Sequence, residues 1–298
     1  MATQGSPAVA RHRLRLALRK AREAKDLTQG EVAASLDWSL SKLQRIEGGE
    51  NSISATDTRA LLQILGVTDG PTVEALVNDA RQARKRSTWD EPRFREFLTP
   101  AMKALVEFES HARVIRAFQT VLVPGPLQTP ELARHVISSW SDELSEEERA
   151  VRLEFRLSRR QVLARPQPPA YLVALDQSVL YRDVGGPAVF ASQLRQLLAD
   201  LRGGRIELRI VPFRVPAIVA LGLPFSVMSL DGDDDSVLYR ESHLVDELVT
   251  TPEKVRRHLQ LFDLLWQQSF SKEESERLLE ERVARLLEAP DQAPTRST

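Results

Sequence analysis

The chain has 298 residues, 42% of them hydrophobic and 28% charged, with a formal net charge of −1 and no cysteine. That length predicts two domains, and the missing cysteine excludes disulfides, thiolate metal sites and a cysteine nucleophile. The opening residues lack a basic segment followed by an apolar core, and no apolar run approaches membrane-spanning length. A cytoplasmic protein with no membrane association is therefore expected.

Arg11 to Lys25 reads as a basic helix with apolar positions at Leu14, Leu18 and Ala21. Thr28 and Glu31 have capping-box spacing, which starts a second helix with Leu27, Val32, Ala33 and Leu36 on its apolar face. Asp37-Trp38 supplies a turn, and Ser39 is an N-cap for a third helix whose Leu43 and Ile46 face inward. Gly48-Gly49 then ends that helix in a conformation glycine adopts without steric cost. Two short helices joined by a tight turn are the layout that offers one helix to the DNA major groove. Leu40, Ser41, Gln44 and Arg45 lie on the outward side of the third helix. Arginine can bridge guanine O6 and N7, glutamine can bridge adenine N6 and N7, and an apolar side chain can meet a thymine methyl. Gln29, at the start of the second helix, is placed to meet a phosphate together with the helix amides. Ser39 and Lys42 complete the candidate DNA-binding set.

Two runs, Arg22-Glu-Ala-Lys-Asp-Leu-Thr-Gln29 and Lys42-Leu-Gln-Arg-Ile-Glu-Gly-Gly49, resemble the lambdoid-repressor (Cro/C1, or XRE) family of helix-turn-helix regulators. The resemblance implies a lambda-repressor-like all-α domain of about five helices. It also implies that Gln29 contacts phosphate and that Leu40, Ser41, Gln44 and Arg45 read bases. By the same resemblance, Arg22 and Glu47 form a buried salt bridge between the first and third helices, a pair that fixes geometry more than it adds stability. Leu40 departs from the polar residue usual at the first base-facing position, which shifts direct reading to Ser41, Gln44 and Arg45.

Ser54 to Asp57 caps a fourth helix, with Leu61, Leu62, Ile64 and Leu65 as its core side until Gly66. Pro71 opens a fifth helix through about Arg86, and its closing basic run, Arg81 to Arg86, reads as a solvated face and linker in preference to a DNA arm. Ser87 to Pro92 reads as the junction between domains. The first 120 residues carry 19 basic and 15 acidic side chains, the remainder 22 and 27. This basic half on an acidic body suits a localised DNA surface, and its small excess calls for a homodimer to double the phosphate contacts.

Helical periodicity follows over Phe94 to Ala112, Thr129 to Trp140 and Ser145 to Ala164. Strand-like segments are Ala170 to Leu175, Arg205 to Pro212, Phe225 to Leu230 and Val237 to Glu241, with a crossover helix, Ala188 to Leu201, between the first two. Asp231-Gly232 reads as a hairpin turn. Helices Pro252 to Gln267 and Lys272 to Leu287 close the domain. The expected plan is a helix-turn-helix domain at 10–70, a connecting helix and linker at 71–92, an α+β domain at 93–288 and a disordered tail at 289–298.

Val121-Leu-Val-Pro-Gly-Pro-Leu-Gln-Thr-Pro130 is similar to the VPGLLQTP signature of a domain found behind such motifs in actinobacterial regulators. Arg156 to Gln161, Val184-Gly-Gly-Pro187 with Gln193-Leu194, Ile210-Val-Pro-Phe213 and Pro224-Phe225 match further elements of it, while Pro126 and Asp176 depart from it. The resemblance implies a WhiJ-like or antitoxin-like regulator, often paired with a small protein encoded nearby.

Other constellations are silent. His12, His111, His135, His243 and His258 are scattered without metal-ligand spacing, and Asp231, Asp233, Asp234 and Asp235 read as an acidic hairpin tip. Glu146 to Glu148 follow Ser145, where a helix dipole favours carboxylates. No nucleophile elbow or phosphate-binding glycine loop occurs, so no enzyme activity, metal or cofactor is expected. The stripe Leu259, Phe262, Leu265 and Trp266 reads as packing within its own domain ahead of a subunit interface. The expectation is a sequence-specific transcriptional regulator that binds a double-stranded operator through helix 39–47. Its C-terminal domain would dimerise, sense a ligand or dock a partner. The alternative is an antitoxin-like protein that sequesters a small partner and represses its own operon.

Overall fold

Each of the first five helices starts where a side chain caps it. In the computed structural model, which describes residues 6–139, 144–215, 224–241 and 246–288, Ser6 Oγ accepts from Val9 N at 3.3 Å and Pro7 takes the first turn. Helix α1 (Pro7–Glu23) therefore begins four residues ahead of Arg11, because Pro at a first helical turn loses no needed hydrogen bond. Helices α2 (Gln29–Ser35), α3 (Leu40–Gly48), α4 (Ala55–Ile64) and α5 (Gly70–Gln82) are capped in turn by Thr28, Ser39, Ser54 and Asp69. Helix α5 stops at Gln82, so Lys85 and Arg86 of the basic run lie beyond it. A short α6 (Pro92–Arg95) ends the unit Met1–Arg95. Leu14, Leu18, Val32, Leu43, Ile46, Leu61, Leu62 and Leu76 pack into one core, so every helix from α1 to α5 is tied to the others by burial.

The second unit, Glu96–Thr298, is described by itself. The helical periodicity seen from Phe94 to Ala112 is broken at Thr99, whose Oγ1 accepts from Met102 N at 3.1 Å and starts α7 (Pro100–Glu109). The residue before a proline is pushed out of helical geometry, so one helix cannot run through this point. Helix α8 (Pro130–Ser138) follows, and α9 (Glu146–Ser158) gives way to a 3₁₀ turn over Arg159–Ala164, where a continuous helix had been expected. The expected end at Trp140, His243 and the tail 289–298 lie outside the described residues.

Among the described residues, six strands form one mixed sheet in the order β3-β2-β1-β4-β5-β6. They are β1 (Val114–Gln119), β2 (Ala170–Asp176), β3 (Glu207–Val211), β4 (Phe225–Ser229), β5 (Ser236–Glu241) and β6 (Asp246–Val249). The pairs β1–β2 and β2–β3 are parallel, and the remaining pairs are antiparallel. Helix α10 (Pro187–Arg202) makes the crossover between parallel β2 and β3. Strands β1 and β6 are additions to the sequence reading. Arg116 interrupts the apolar pattern of β1, yet its neighbours Ile115, Ala117 and Phe118 are fully buried. Strand β6 is only four residues long and pairs at the sheet edge.

Helix α11 (Pro252–Gln268) covers one face of the sheet, with Val255, Leu259, Phe262 and Leu265 packed on Phe118, Phe225, Val227 and Leu238. The apolar stripe is thus consumed inside its own unit, and Trp266 stacks on Phe262 at 5.5 Å between centroids. Helix α12 (Lys272–Glu288) packs against α10 and completes the order. The result is a helical N-terminal domain followed by a domain of mixed sheet and helices, as the composition and periodicity predicted.

Candidate nucleic-acid interface

The turn between α2 and α3 is built by local chemistry. Thr28 Oγ1 accepts from Glu31 N at 3.2 Å, and Glu31 Oε2 accepts from Thr28 N at 2.7 Å. The hydrogen bonds that Thr28 N and, at 2.7 Å, Thr28 Oγ1 donate to this carboxylate hold its pKa below the ordinary range, because they favour the charged form. Asp37 adopts φ 52°, a left-handed conformation that Asp tolerates better than most side chains, and Trp38 N closes the turn onto Ala33 O at 2.9 Å. Ser39 Oγ then accepts from Lys42 N at 3.2 Å, and Gly49, at φ 78°, ends α3.

Glu47 fixes the angle of α3 from the inside. Its Oε1 accepts from Arg22 Nε at 2.8 Å, while Oε2 accepts from Arg22 Nη2 at 3.0 Å and from Gln29 Nε2 at 2.8 Å. Arg22 Nη1 donates further to Leu27 O at 2.9 Å. The two side chains are 13% and 5% exposed. The hydrogen bonds to Glu47 raise the Arg22 pKa against the opposing effect of burial. One carboxylate thus binds α1, α2 and α3 together. The structure brings Arg22 and Glu47 together and adds Gln29 to them, so part of the Gln29 amide that had been assigned to phosphate is turned inward.

Of the outward set, Leu40 is 46% exposed, and Ser41, Gln44 and Arg45 are exposed beside it. Among the described residues, the Gln44 and Arg45 side chains make no hydrogen bond or ion pair. Ser39 and Ser41 hydroxyls lie 3.3 Å apart. Lys42 stands apart from this group: its ammonium sits 3.6 Å from the centre of the Trp38 ring and 3.4 Å from Asp57 Oδ2. A side chain held over an aromatic face and near a carboxylate is already partnered. Sequence spacing placed Lys42 at the interface without revealing Asp57, which approaches from α4. Arg15 on α1 was also missed; it donates to Gly48 O at 3.4 Å, at the end of α3.

In the second unit, separated motif segments converge. Gln128 Nε2 donates to Val123 O at 2.8 Å, and Gln128 Oε1 accepts from Arg156 Nη1 at 3.1 Å. Arg159 forms a two-point pair with Glu109, at 2.9 and 2.7 Å, with Glu109 buried and Arg159 largely shielded. Gln193 clasps the same loop, accepting from Thr129 N at 2.7 Å and donating to Leu127 O at 2.9 Å. A Cβ on Gly125 would lie 2.5 Å from Arg159 Nη1, so the loop needs glycine there. Val121 to Gly125, Gln128, Arg156 and Arg159, with Phe225 from β4, line one cavity of about 120 Å³.

Residues 102–281 match the family described as domain of unknown function (DUF5753), and residues 13–76 match a helix-turn-helix domain. The first match spans the second unit's sheet and the converging motifs. No curated protein and no solved structure matches the chain.

Proposed function

The chain belongs to the family described as domain of unknown function (DUF5753), and from that premise we propose that it is a sequence-specific DNA-binding transcriptional regulator of Cro/C1 (XRE) type. The observation that carries this reading is the outer side of α3, where Gln44 and Arg45 stand exposed and, among the described residues, unpaired while Glu47 anchors the helix from behind. Arg45 offers paired donors, and Gln44 a donor beside an acceptor, the two-point patterns that base edges require. The basic excess of the first 120 residues supports the same surface.

One recognition helix reads only a few base pairs, so the active form is a homodimer on a pseudo-palindromic operator, with half-sites one helical turn, or a multiple of it, apart. The DUF5753 domain supplies dimerisation and regulation in the manner of WhiJ-like regulators. Selection of duplexes from a random pool by the full chain tests this. A two-fold-symmetric consensus, lost on replacing Gln44 and Arg45 by alanine, is expected. A pool that emerges without consensus would refute it.

The antitoxin-like alternative draws on one observation. Tyr181 and Phe213 stack at 6.1 Å between centroids while 49% and 63% exposed, and exposed aromatics are enriched where proteins dock. Co-purification with a small protein from a neighbouring gene, abolished by Phe213→Ser, would favour it.

A further inference from the structure

The cavity of about 120 Å³ in the DUF5753 domain lies beyond the C-terminal end of the central strand β1, next to the start of β4. There the sheet changes from a parallel neighbour, β2, to an antiparallel one, and the loops diverge. Open sheets commonly hold ligands in crevices outside the carboxyl ends of their strands. A cavity of this order is the size that accepts one benzene-sized body.

Its wall is chemically unequal. Val121, Val123, Pro124, Pro224 and Phe225 present apolar surface. Two guanidiniums also line it. Arg159 is neutralised: burial opposes its charge, but Glu109, by its charge and its hydrogen bonds, lifts the Arg159 pKa above the ordinary range. Arg156 differs. Of the five N–H groups of a guanidinium, only Nη1 has a committed partner among the described residues, the neutral Gln128 amide. No carboxylate lies within ion-pair distance of it among the described residues. Burial accordingly pulls the Arg156 pKa below the ordinary range, with the charge of Glu241 opposing that fall from a distance. Glu241 is exposed and lines the same cavity, where it disfavours a second negative charge on any occupant.

An unpaired guanidinium beside apolar walls selects one kind of molecule. We infer that this cavity binds a small monocarboxylate with a compact apolar body, its carboxylate on Arg156 and its body against Val121, Pro124 and Phe225. Arginine suits this role because its planar fork matches a carboxylate in two-point geometry. The inference names the ligand of the regulatory domain proposed above, and rests on that reading only for the effect of ligand on operator affinity. Binding itself is measured without DNA, so the two can fail separately.

The test uses the full chain and sodium benzoate, with benzamide as the neutral isostere, both titrated by calorimetry. Benzoate is expected to bind at least tenfold more tightly than benzamide. Arg156→Gln should remove that preference by weakening benzoate about tenfold while leaving benzamide nearly unchanged, and Arg156→Lys should retain part of it. Equal affinity for the two compounds, no binding of benzoate, or an undiminished preference in Arg156→Gln would overturn the proposal. The isostere comparison is made on the wild-type chain, so it decides the matter even where the variant does not fold.

Discussion

The side-chain amide of Gln29 donates to Glu47 Oε2 at 2.8 Å, on the same oxygen that accepts from Arg22 Nη2 at 3.0 Å. The first residue of α2 is therefore bound to the carboxylate that orients α3, and the spacing of the two helices is set by a three-way polar contact. Replacing Glu47 with alanine strands the Arg22 charge in a site where its side chain is only 13% exposed. Breaking a buried pair by removing one partner costs roughly 3–5 kcal/mol. Gln29→Ala removes one neutral donor and should cost about 1 kcal/mol. Thermal melts of the full chain check the order: a Glu47→Ala melt that coincides with wild type would show that the carboxylate does not hold the helices.

Arg45 carries the specificity prediction. If its guanidinium reads a base, Arg45→Ala should cost about 1–3 kcal/mol on the selected operator and far less on random DNA. Equal losses on both would place it on phosphate alone.

Lys42 carries the converse. Its ammonium lies over Trp38 and beside Asp57, so it should release no counterion when DNA binds. Each phosphate neutralised contributes about 0.9 to the slope of log affinity against log salt. Lys42→Ala should therefore leave that slope unchanged, and a fall of about one unit would show that the lysine leaves Trp38 for the backbone.

Gly125 tests the motif loop. A methyl group there meets Arg159 Nη1 at 2.5 Å and Cζ at 2.9 Å, and the guanidinium cannot swing away without losing Glu109. Gly125→Ala should destabilise the chain by about 1–3 kcal/mol through overpacking. Denaturant unfolding of the full chain measures this, and a Gly125→Ala cost that vanishes when measured against Arg159→Ala alone would identify the clash.

Glu31 gives a titration. Thr28 holds its pKa below 4.5, the ordinary value. A depressed carboxyl stabilises the fold above its unfolded-state pKa, and that contribution is lost as pH falls through the lower, folded-state value. Carboxyl-detected NMR should find a midpoint under 4.5 in wild type, moving up toward 4.5 in Thr28→Ala. An unshifted wild-type midpoint would mean that the capping box is not formed in solution.

Sequence alone determined the features that depend on neighbours a few residues away. Thr28 with Glu31, Ser39 before Lys42, and Ser54 before Asp57 are caps closed within one helical turn, and the chain order of residue types suffices to place them. The apolar spacing of Leu43 with Ile46, and of Leu259 with Phe262, likewise marks which side of a helix is buried. Strand β1 escaped because six residues with a central arginine carry a weak pattern, and its burial comes from pairing with β2 and β4, which lie far along the chain. The inward turn of Gln29, the capture of Lys42 by Trp38 and Asp57, and the unpaired Arg156 beside the neutralised Arg159 were decided only by tertiary structure. Apart from Trp38, their partners are brought together by packing across 15 to 50 residues of chain, and the strength of a polar contact depends on distance in space, which a linear sequence does not carry.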